Sequence, residues 1–142
     1  MSDRLKRRVE KITELLERLV EKSANGVPII VEGRNDVDAL RRLTIKGDII
    51  AAKTSGRSLL DVLREVRERG AQEVILLMDF DRRGKEWTRR LAQHLEKMRV
   101  KANLPFWNEL RNLVGHDLKD IEGLPTYMET LRKKCGDQSS KV

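Results

Sequence analysis

Short apolar runs alternate along this chain with longer stretches that repeat at the 3.6-residue period of a helix. This alternation fixes the class of fold before any single residue is considered. Val27-Pro28-Ile29-Ile30-Val31, Ile49-Ile50-Ala51-Ala52, Glu73-Val74-Ile75-Leu76-Leu77-Met78 and Val100-Lys101-Ala102-Asn103 read as strands, the third most clearly. Runs with so little polar alternation need cover on both faces, a property of parallel sheets. Between them, residues 35–45 put Val37, Leu40 and Leu43 on one helical face. Ser58 opens a second helix, with Asp61 in the glutamate position of a capping box; Leu59, Leu63 and Val66 face inward and Gly70 ends it. A third helix after Gly84 buries Trp87, Leu91, Leu95 and Met98.

Outside this unit, Leu5, Val9, Ile12, Leu16 and Leu19 predict an amphipathic helix over 3–22, stopped by Asn25-Gly26. Pro105 and Pro125 suit the first turns of helices near 105–114 and 125–134. The expected fold is therefore α/β: about four mostly parallel strands flanked by helices, with extra N-terminal and C-terminal helices. The expected parts are an N-terminal helix (1–26), a core (27–103), a helical extension (104–135) and a flexible polar tail (136–142).

With net charge +7 and pI about 9.8, the chain favours polyanions, nucleic acid above all. No apolar run approaches the roughly 20 residues that span a bilayer, and no membrane partner is expected. Met1-Ser2-Asp3-Arg4 is charged at once, unlike a signal peptide. Cys135 is the only cysteine, which excludes an internal disulfide and a cysteine-rich zinc site. A cytoplasmic location is the expectation.

Two strands end in acids. The first runs into Glu32-Gly33-Arg34-Asn35-Asp36, the third into Asp79-Phe80-Asp81-Arg82-Arg83-Gly84. Open α/β sheets bind ligands beyond the carboxyl ends of their strands. If the two strands are parallel neighbours, Glu32 and Asp79 leave the sheet on the same edge. Asp79 and Asp81, two apart in a still-extended segment, would point the same way, and Phe80 back into apolar packing. Converging carboxylates repel unless a cation or proton neutralises them. Hard oxygen donors suit Mg²⁺, with Mn²⁺ as a substitute. Asp36 also suits the first turn of the following helix, where the dipole favours an acid.

These two motifs, Glu-Gly-x-x-Asp and Asp-x-Asp-x-x-Gly at strand ends about two βα units apart, resemble the Toprim domain over residues 27–103. That domain is shared by DnaG-type primases, type IA and type II topoisomerases, OLD-family nucleases, the RecR recombination protein and the ribonucleases that mature 5S ribosomal RNA. The chain as a whole looks like the small stand-alone archaeal and bacterial members. The resemblance implies a Rossmann-like fold, Glu32 as general acid/base, Asp79 and Asp81 as Mg²⁺ ligands, and Asp36 as the less regular additional acid. The residues alone do not divide these roles. A free Glu is ionised at pH 7, so Glu32 would need a raised pKa to donate a proton and would otherwise be a base or a third ligand.

A basic surround accompanies the acids. Arg82, Arg83 and Lys85 stand at a helix start, Arg34 in the first acidic loop, and Lys53 and Arg57 around Thr54-Ser55-Gly56. Together they could hold a phosphodiester over the metal. Lys97 and Arg99 read as a solvated helix face. With aromatics at 4%, backbone recognition is favoured over base stacking. The leading expectation is a Mg²⁺-dependent nucleic-acid phosphodiester enzyme, a nuclease or RNA-processing factor. The alternative is a non-catalytic nucleic-acid-binding or assembly module of a DNA repair, replication or RNA-processing complex, with the terminal helices docking a protein partner or a second copy. A phosphatase-like domain is disfavoured, because its aspartate motif would follow the first strand.

Overall fold

The structure, a computed structural model, describes residues 3–54 and 56–136. Ser55 and the tail from 137 lie outside the described residues, and with them the expectation of a flexible tail. The chain runs α1 (Asp3–Ala24), β1 (Ile29–Val31), α2 (Arg34–Arg42), β2 (Ile49–Ala51), α3 (Leu59–Glu68), β3 (Glu73–Leu76), α4 (Arg82–Lys97), β4 (Lys101–Asn103), α5 (Pro105–Val114) and α6 (Leu124–Lys134). The four strands form one sheet in the order β2-β1-β3-β4, parallel at every pairing.

The strands are shorter than the apolar runs that announce them. Pro28 has no N–H for the ladder, although its carbonyl still accepts from Ile75 N at 2.9 Å. Beyond Leu76, Leu77 N continues to Ile30 O at 2.8 Å, and the Met78 carbonyl turns to the Trp107 indole N–H at 2.7 Å. The helices begin where their caps require. Ser58 Oγ accepts from Asp61 N at 3.3 Å and Asp61 Oδ2 from Ser58 N at 2.8 Å, the expected capping box. In α3 it is Val62, with Leu63 and Val66, that is buried, while Leu59 is half-buried.

Alternation along the strands divides the core in two. Ile29, Val31, Ile75 and Leu77 face a cluster built with α1, α2, α5 and α6; Ile30, Ile50, Val74, Leu76 and Met78 face α3 and α4. The terminal helices thus pack on their own sheet. Arg8 Nε reaches Leu113 O at 2.8 Å, Arg18 pairs with Glu109 at 2.9 Å, and Arg132 reaches Thr13 Oγ1 at 3.2 Å. Trp107 is buried in this layer, and Trp87 is half-buried against the other. No described helix is long and apolar enough to cross a membrane.

Candidate metal and phosphate site

The sheet order places β1 beside β3 and sends the chain outward from there in both directions, so the topological switch point falls between these two strands. Glu32 directly follows β1, and Asp79 lies just past β3. Glu32 Oε2 accepts from the Asp79 backbone N–H at 3.1 Å, and Oε1 takes Lys53 Nζ at 3.1 Å. Main chain fixes that lysine beside Glu32, since Lys53 N also donates to Glu32 O at 2.7 Å. Its ammonium stands 5.1 Å from the Trp87 ring centroid, which ties the turn after β2 to α4.

Asp36 is both a first-turn acid and a member of this group. Its Oδ2 accepts from Gly33 N at 3.0 Å, and the residue is buried. Burial lifts its carboxyl above the ordinary range, the Gly33 N–H opposes this, and the charges of Glu32 and Asp120 add to the rise. Asp79 is displaced furthest, pushed up to about 7 by burial and then by the charges of Glu32 and Asp36, against the Ile121 N–H and with Asp120 adding to the rise.

Asp120 was not predicted from the sequence. It belongs to the segment between α5 and α6, which folds over the end of β3. Phe80 N donates to Lys119 O at 2.8 Å, and Ile121 N to Asp79 Oδ1 at 3.4 Å across 42 residues of chain. Ile121 is fully buried, and Asp120 Oδ1 accepts from Gly123 N at 2.8 Å. A lone acid in an aperiodic loop carries no local sign that it will meet Asp79. The one available hint is apolar Ile121 amid polar neighbours.

Asp81 is placed differently from Asp79. It is exposed and caps α4, its Oδ1 accepting from Gly84 N at 2.7 Å. Gly84 is compelled, because a Cβ there would collide with the Asp79 carbonyl. Arg34, Arg82, Arg83 and Lys85 are exposed around these loops. Arg57 turns away to Glu65 Oε1 at 2.6 Å, and Lys53 is engaged with Glu32. The fold therefore gathers Glu32, Asp36, Asp79 and Asp120, sets Asp81 at the α4 cap, and leaves four cations exposed at the rim.

The donors are hard carboxylate oxygens carrying mutual repulsion, with Lys53 the cation bonded to the group. Among the described residues no three Asp, Glu, His or Cys side chains close into a complete metal cage. Mg²⁺ asks for less: one or two carboxylates, the remaining positions going to waters and substrate phosphates. Asp79 and Glu32, whose charges act on each other, are the carboxylates that would meet it.

A family model, the Toprim domain, matches residues 27–105. Curated relatives include a UPF0292 protein of Methanosarcina acetivorans, 37% identical over 96% of this chain and 95% of that one. A UPF0292 protein of Methanocaldococcus jannaschii is 38% identical over 84% of this chain and 91% of its own. Among solved structures, a protein from Aquifex aeolicus superposes with TM-score 0.65 at 29% identity, covering 77% of this chain and 94% of that chain.

Proposed function

Because this chain belongs to the Toprim domain family, and because it bonds two of that family's acids to each other at the switch point, we propose that it is a Mg²⁺-dependent nucleic-acid phosphodiester enzyme, a nuclease or RNA-processing factor. Membership gives it a metal-dependent, nucleic-acid-related role; cleavage is the finer step proposed here. The observation that carries it is the 3.1 Å hydrogen bond from Asp79 N to Glu32 Oε2, which holds the acids of two separate motifs side by side.

Asp79 and Asp81 would hold Mg²⁺, with Mn²⁺ as a substitute. When bound, the metal supplies Lewis-acid stabilisation of charge developing on phosphate. Glu32 accepts a proton at Oε1 or Oε2 from the attacking oxygen, as a general base. Each oxygen already accepts one hydrogen bond, from the Lys53 ammonium and the Asp79 N–H, and has a further lone pair for the proton. Asp36 and Asp120 add negative charge around Asp79 and so favour a cation there. Arg34, Arg82, Arg83 and Lys85 hold the substrate phosphates. Lys53 and Arg57 could join them only by exchanging Glu32 and Glu65.

The test is turnover of structured RNA, duplex DNA and single strands in Mg²⁺, Mn²⁺ or EDTA. Cleavage should require metal and fall to background in Asp79→Asn, with the fold retained. Equal cleavage in EDTA, or by the variant, would refute the proposal. One observation favours the non-catalytic reading, in which the domain binds nucleic acid within a larger assembly: Asp81 is committed to the α4 cap. Binding that persists in EDTA without turnover under any metal would decide for it.

A further inference from the structure

A second basic surface starts at the acidic site and runs away from it. Lys85 follows Gly84 directly, and its N–H donates to Asp81 O at 3.0 Å. From there Lys85, Arg89, Gln93 and Glu96 line one face of α4, opposite Leu104, Trp107 and Arg111, as a groove of about 370 Å³. Ala92, Glu96 and Leu104 also line the next opening, about 500 Å³, which continues past Arg99 to Lys101 on the edge strand β4. The two adjoin through these shared residues, and the channel they outline carries the cations Lys85, Arg89, Arg99, Lys101 and Arg111, against the carboxylate of Glu96.

None of these cations makes an ion pair among the described residues. Arg111 is spread over the Trp107 ring, 4.6 Å from its centroid. Trp107 is itself only 5% exposed, so it offers no face to a base. Arg99 has φ 63, a left-handed conformation that glycine would adopt without strain, at the helix end where glycine is commonest. A cation is thus kept where the backbone prefers glycine.

We infer that this channel is a track for the phosphodiester backbone of a nucleic-acid strand whose reacting phosphate lies at the Glu32–Asp79 site. The inference rests on the nucleic-acid reading above and extends it to where the rest of the substrate lies. From Lys85 to the end of α4 at Lys97 the helix rises about 18 Å, the span of a few successive phosphates of one strand. The absence of an exposed aromatic in the channel makes the recognition electrostatic and sequence-independent.

The experiment measures the salt dependence of binding, in EDTA, for a single-stranded oligonucleotide and a duplex of the same length. The track variant combines Arg89→Ala, Arg99→Gly and Lys101→Ala. The control combines Arg64→Ala, Arg67→Ala and Lys97→Ala in the separate groove between α3 and α4. Each lost phosphate contact lowers the slope of log K against log salt by about 0.7 to 0.9, so the track variant should lose about 2 and the control nothing. Arg99→Gly alone should unfold no earlier than wild type, which separates lost contacts from lost folding. Equal losses in both variants, no loss in the track variant, no wild-type binding, or equal competition by poly-glutamate would each overturn the inference. If Asp79→Asn still cleaves while the slopes behave as expected, the catalytic reading fails and the track stands. If the slopes fail while cleavage needs Asp79, the track alone fails.

Discussion

Strand β3 begins and ends near a carboxylate, and the two have opposite surroundings. At its start, Glu73 takes Lys22 Nζ at 3.2 Å on both oxygens and Asn103 Nδ2 at 2.8 Å on Oε2. Although burial works against it, the Asn103 and Lys22 contacts hold its carboxyl below the ordinary range. Past its end, Asp79 sits among Glu32, Asp36 and Asp120 and is pushed up to about 7. One acid is satisfied by the fold and the other is left short of positive charge by it. Burial is the largest cause of the rise at Asp79 and is weaker at Glu73, and the partners add to the difference: like charges surround Asp79, whereas donors surround Glu73.

The largest expected effect comes from making the two ends alike. Asp79→Asn should reduce Mg²⁺-dependent cleavage to background and, in metal-free protein at pH 8, raise the melting temperature by removing a repelled charge. A lowered melting temperature would mean that Asp79 is a structural acid like Glu73. Next, Glu73→Gln should destabilise by about 1–2 kcal/mol, a few degrees in thermal unfolding, through loss of charge-assisted hydrogen bonds. Its cleavage rate should stay unchanged; a fall to background would erase the contrast.

Titration sharpens the same comparison. Between the ordinary Asp value of 3.8 and about 7, folded Asp79 holds a proton that the unfolded chain has released. Metal-free stability should therefore fall as pH rises through this window, by about 1 kcal/mol once the half-exposed position is discounted for screening. Glu73 and Glu65, both held low, give the opposite trend, stability lost as pH falls below their ordinary range. Chemical denaturation across pH should show a maximum near pH 5 without metal and a flatter alkaline side with Mg²⁺. A metal-free maximum above pH 7 would contradict the assignment. The smallest effect should come from Lys53→Gln, which removes the cation paired with Glu32. Calorimetry should show Mg²⁺ bound a fewfold more tightly, and weaker binding would mean that Lys53 organises the ligands.

Glu32 and Asp79 were legible in the sequence because each ends an apolar run, and the parallel-sheet rule then puts both on one edge. Asp81 was legible as a motif residue but not in its orientation. Extrapolating strand alternation to it assumes extended chain, whereas β3 ends at Leu76 and Asp81 caps the next helix. Asp120 was not legible, since its neighbours are set by loop closure over 42 residues and not by any local period. The terminal helices showed apolar stripes without showing what they face, and the three-dimensional packing sets those stripes against the chain's own sheet.

The most direct measurement is isothermal calorimetry of Mg²⁺ into metal-free protein at pH 7 in buffers of different ionisation enthalpy. Asp79 is partly protonated there, so binding should release protons and the heat should depend on buffer. Both the binding and the buffer dependence should vanish in Asp79→Asn and persist in Glu73→Gln. Identical isotherms for wild type and Asp79→Asn would contradict it.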